Sequence, residues 1–95
     1  MNKVVEYLRI HSAPDSPISG RNLANHFGFT PVKVREYVNE ARCSGVPICS
    51  TRWGYFYSED TDLISKTVES MRGRIASQER AIAGLSSILC GRAEE

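Results

Sequence analysis

The sequence predicts a mainly α chain with one small β-hairpin, an α+β class, ending in a long C-terminal helix. Three observations predict it. Two short helical stretches stand in tandem, each opened by a hydroxyl residue and closed by a glycine. A segment rich in β-branched and aromatic residues follows them. The remainder keeps its apolar residues at heptad spacing. The expected organisation is a compact unit over 1–59, a helix over 60–91 and a tail over 92–95.

Asn2 to His11 places Val4, Val5 and Leu8 on one helical face, so a first helix is expected there. Ser12 to Pro17, with two prolines and an Asp, ends it in a loop. Ser19 is placed to cap the next helix by accepting from an orphan amide. Ile18 and Leu23 then occupy the positions of a hydrophobic staple. Leu23, Ala24 and Phe27 form the inward face, and Gly28 stops the helix. The device repeats immediately. Thr30 caps, Pro31 sits where a missing N–H costs nothing, and Phe29 and Val34 make a second staple. Val34, Val38 and Ala41 form the inward stripe, and Gly45 follows the last turn. Two capped helices joined by a short glycine-containing turn are the sequence form of a helix-turn-helix.

After Gly45 the period becomes extended. Val46 to Thr51 and Tyr55 to Glu59 read as two strands of a short hairpin with Gly54 in its turn. In the last helix Ile64, Val68, Met71, Ile75, Gln78, Ile82, Leu85 and Leu89 alternate spacings of four and three. Val68, Ile75, Ile82 and Leu89 take the a positions of a heptad; Ile64, Met71, Gln78 and Leu85 take d. β-Branched residues at a favour two parallel strands, so these eight residues are the expected dimerisation seam. In that pairing Arg74 at g faces Glu79 at e of the partner helix. The competing arrangement folds the helix back onto its own domain.

Charge constrains the partners. The chain has 95 residues and a formal net charge of +1, far from the strongly basic balance of non-specific nucleic-acid binders. Up to Glu59 there are seven basic and five acidic residues; beyond it, five and six. Attraction to nucleic acid therefore belongs to the first part. Cys43, Cys49 and Cys90 show no CxxC spacing, and His11 and His26 do not complete a zinc set. Reduced thiols and a cytoplasmic location are expected. No stretch is apolar enough for a signal peptide or a membrane span. No phosphate loop, metal cluster or nucleophilic triad is legible, so neither an enzyme nor a cofactor is expected.

Arg42-Cys-Ser-Gly45, the β-branched run Val46 to Thr51 and Gly54-Tyr55 together resemble the winged-helix family that includes the N-terminal domain of the biotin operon repressor. Ile18 to Thr30 is similar to that family's first helix-turn-helix segment. The resemblance covers about Met1 to Tyr57 and leaves out the C-terminal helix. It implies a winged helix-turn-helix followed by a coiled-coil helix, the format of short regulators encoded by phages and mobile elements.

The resemblance further implies sequence-specific binding of double-stranded DNA by a homodimer that regulates transcription. The second helix would enter the major groove and the wing would touch backbone or minor groove. Thr30, Val32 and Lys33, at the helix start, are the candidate base contacts. Arg35 is a candidate for phosphate. Arg21 and Asn22 stand in the first turn of the preceding helix, where its positive end favours an anion. Arg52 and Trp53 form the wing tip. Glu36 and Glu40 oppose this reading, because carboxylates are repelled by phosphates. One of them could accept from a cytosine amine, or both could pair with neighbouring basic residues. Trp53 could equally pack against the hairpin base. The alternative function is a protein-binding winged helix that docks on another protein, such as host machinery targeted by a phage.

Overall fold

The computed structural model describes residues 2–93. The fold is mainly α with one hairpin, as the class predicts. In chain order it comprises α1 (Lys3–His11), α2 (Gly20–Phe27), α3 (Pro31–Cys43), β1 (Ile48–Thr51), β2 (Gly54–Tyr57) and α4 (Thr61–Ala93). The whole extends 58 × 32 × 23 Å, and the long dimension comes from α4.

Capping chemistry sets the helix starts. Asn2 Oδ1 accepts from the Val5 amide at 2.9 Å, so Asn2 is the cap of α1 rather than its first turn. Ser19 Oγ accepts from Asn22 N at 3.1 Å and Thr30 Oγ1 from Lys33 N at 3.2 Å, as expected for the caps of α2 and α3. Gly28 closes α2 at φ 69°, in the left-handed region that residues with a Cβ avoid.

The core is where the three stripes meet. Val4, Val5, Leu8, Leu23 and Val34 are fully buried, and Ala24, Val38, Ala41 and Ile48 complete the cluster. Phe27 and Phe29 are half-buried against it. Burying aliphatic side chains of this size stabilises by roughly 1.5–3 kcal/mol each. Asn2 adds a polar tie, because its Nδ2 donates to the Tyr37 carbonyl at 3.1 Å and joins α1 to α3.

The hairpin pairs Ile48 with Tyr57, Cys49 with Phe56, Ser50 with Tyr55 and Thr51 with Gly54. Its loop is therefore Arg52-Trp53 alone. Gly54 opens β2 instead of lying in the turn. Its φ of 145° and the close approach of another backbone both require glycine, since a Cβ there would fall 2.4 Å from the Ile18 carbonyl carbon. Ile18 is bound to Tyr55 through two backbone hydrogen bonds of 2.8 Å, which hold the hairpin against the start of α2.

The other edge of the hairpin is covered by α4. Thr67 is buried, accepts from the Ser50 amide at 3.3 Å and donates to the Leu63 carbonyl at 3.2 Å. Only the first three turns of α4 rest on the hairpin; beyond Met71 every residue whose exposure is described is exposed. The helix is continuous past Gly91 to Ala93, the last described residue, and Glu94 and Glu95 of the expected tail lie outside the described residues. Among the described residues no helix is long and apolar enough to cross a membrane.

Candidate nucleic-acid interface

The turn between α2 and α3 is fixed by the Gly28 conformation and the Thr30 cap, with Phe29 N donating to the Ala24 carbonyl at 2.9 Å. Burying Val34, Val38 and Ala41 turns the opposite side of α3 to solvent. The expected contact residues Arg21, Asn22, Thr30, Val32, Lys33, Arg35, Arg52 and Trp53 are all exposed. Val32, at 53% exposure, and Trp53, at 69%, are large apolar side chains left mostly to solvent. Trp53 therefore does not fold back on the hairpin base. Arg52 lies over its ring, 5.0 Å from the centroid.

The glutamates part company. Glu36 Oε2 lies 3.7 Å from Lys33 Nζ, one helical turn away, with both side chains about half exposed or more. Lys33 Nζ is also 5.1 Å from the centre of the Tyr37 ring. Such an exposed pair holds by only about 0.3–0.5 kcal/mol, so Lys33 is readily drawn to a stronger anion. Glu40 has no ion-pair partner among the described residues and faces the side of α3 near Asn2 and Val46.

Arg42 behaves differently from the exposed arginines. Its Nε donates to the Ile48 carbonyl at 2.8 Å and its Nη2 to Ser50 Oγ at 3.2 Å, so it bolts the end of α3 to β1. The guanidinium stands 5.8 Å from the Tyr55 ring centre. Burial pushes its pKa below the ordinary arginine value; Tyr55 and Cys49 oppose that shift, and the Arg74 charge adds to it.

Arg74 was expected only as a coiled-coil flank. The structure sets it beside Arg42 and Tyr55, along an open cleft of about 450 Å³ that also takes in Arg52, Trp53 and Ser19. A second hollow continues from it between α3 and α4 and adds Arg35, Asn39 and Gln78. The fold thus gathers Arg35, Arg42, Arg52 and Arg74 along one trough. Arg21, Asn22, Thr30, Val32 and Lys33 do not line it. Arg74 was legible as a charge but not as a neighbour of the hairpin turn, because its placement depends on how α4 leans on β1.

The seam residues divide in two. Ile64 and Met71 are half-buried; with Val68 they face Val46, Pro47 and Ile48 across an apolar crevice. Ile75, Ile82, Leu85 and Leu89 are 55–68% exposed, and Gln78 is also exposed. Cys43 and Cys90 are exposed free thiols, and Cys49 is a buried one. Among the described residues no three His, Cys, Asp or Glu side chains converge as a metal set would. No family model, curated protein or solved structure matches this chain.

Proposed function

We propose that the chain is a cytoplasmic, sequence-specific duplex-DNA-binding protein that acts as a homodimer, most simply in regulating transcription. The observation that carries this reading is the division of labour in the head. Each of the three short helices buries one stripe, while the outward side of α3 and the two-residue wing tip have no packing task and carry Lys33, Arg35 and Arg52. The first turn of α3, with Thr30, Val32 and Lys33, supplies the base contacts. Arg35, Arg21 and Asn22 meet phosphates, and Arg52 with Trp53 meets the backbone or minor groove. Two copies joined along α4 would present two such heads to two half-sites. The uncovered aliphatic residues Ile75, Ile82, Leu85 and Leu89 support that pairing.

Duplex binding should weaken linearly on a log–log plot as salt rises, with a slope of about −0.9 for each phosphate neutralised. Lys33→Ala and Arg52→Ala should each weaken it several-fold, read by fluorescence anisotropy on a selected duplex. Unchanged affinity in both variants would remove these residues from the interface.

A second reading is a protein-binding surface. Glu40, without an ion-pair partner among the described residues, and the exposed Trp53 favour it, because a carboxylate and an apolar ring suit a protein partner better than phosphates. It predicts a co-purifying protein whose retention is lost in Trp53→Ala or Glu40→Ala.

A further inference from the structure

We infer that the trough between the wing, α3 and α4 seats the sugar-phosphate backbone of one DNA strand, and that Arg74 of α4 carries part of that contact. The inference rests on the duplex-binding reading and extends the interface onto a helix that neither the helix-turn-helix nor the wing includes.

Charge segregation is the first ground. The chain holds nearly balanced charge, 12 basic against 11 acidic residues. Yet among the described residues no Asp or Glu lines either part of the trough, whereas Arg35, Arg42, Arg52 and Arg74 do. Among the described residues none of these four arginines is held in an ion pair. Like charges gathered without a counter-charge raise the energy of the free protein, and a row of phosphates relieves that cost.

Donor chemistry is the second ground. Arg42 is oriented by its bonds to Ile48 and Ser50, which leaves further N–H donors of the fork free. Ser19, Ser50 and Ser70 add hydroxyls along the same cleft, and Asn39 and Gln78 add amides further along. These are the groups that contact phosphate and sugar rather than base edges. Shape is the third ground. The two hollows share Arg42, Tyr55 and Arg74 and join as an elongated, open trough, which suits a continuous strand better than a compact molecule.

Arg74 also stands at a seam-flanking position, so its contact with DNA must be separated from any effect on helix pairing. Three variants of the full chain do this in anisotropy titrations with a fluorescein-labelled duplex obtained by selection. Arg74→Ala should weaken binding about five- to twentyfold near 0.1 M salt and reduce the salt slope by about one. Arg80→Ala removes the same charge from an exposed α4 position outside the trough and should stay within about twofold of the parent. Glu79→Ala removes the partner expected of Arg74 in a helix pair and should also stay within about twofold. Arg74 is exposed, so all three should melt like the parent by circular dichroism. Parent-like affinity and slope in Arg74→Ala would overturn the inference while leaving duplex binding in place. A matching loss in Glu79→Ala would overturn it too, by tracing the effect to helix pairing. A parent that binds no duplex would remove the underlying reading itself.

Discussion

The head, residues 2–57, and the distal half of α4 both carry apolar stripes, but only the head covers them. In the head the stripes Val4/Val5/Leu8, Leu23/Ala24 and Val34/Val38/Ala41 close on one another and leave at most 5% of any of these side chains exposed. On α4 the stripe from Ile75 to Leu89 is left largely uncovered, and its large aliphatic members stay more than half exposed. A helix gains most of its stability from packing an apolar face. The head therefore supports itself, while the distal helix depends on whatever it packs against. The junction lies at Thr67 and Met71, where α4 leaves β1.

That contrast breaks most visibly in the seam. Replacing Ile82 and Leu85 together by Asp puts carboxylates where an apolar contact is proposed, at a cost of several kcal/mol per dimer. The expected outcome is a monomer by light scattering at tens of micromolar, with a thermal transition of the head that stays in place. A parent chain already monomeric at that concentration would refute the pairing. The next effect in size belongs to the head. Leu8→Ala should destabilise it by about 2–5 kcal/mol through the cavity it leaves, seen as a lower denaturant midpoint. Helix pairing should survive that change if the two regions are separate in stability. The smallest effect sharpens the reading of α3. Glu36→Gln removes a carboxylate and frees Lys33, so duplex affinity at low salt should rise on the order of twofold.

The fold was legible wherever information was local. Ser19, Thr30 and Gly28 each carry a fixed backbone task, and apolar periodicity named the buried members of all three short helices. Features set by distant pairing were not legible. Asn2 reads as an ordinary helix-starting residue, yet it reaches Tyr37, 35 positions away. Gly54 reads as a turn glycine, but its actual constraint is the Ile18 backbone. Thr67 is polar and off the heptad seam, so periodicity ranks it as solvent-facing; the amide of Ser50 gives it a reason to be buried. The exposed candidate contacts were nameable from the helix starts, the outward side of α3 and the hairpin loop. The arginine trough was not, because it requires the path of α4 past the hairpin.

Duplex recognition by a paired chain is tested most directly by selection from a large pool of random duplexes at low salt. The recovered duplex is then titrated across salt, and the mass of the complex is measured. A dimeric reader gives an enriched two-part sequence, two chains per duplex and an affinity that falls linearly in log–log form as salt rises. Failure to retain any duplex at low salt would contradict DNA binding outright.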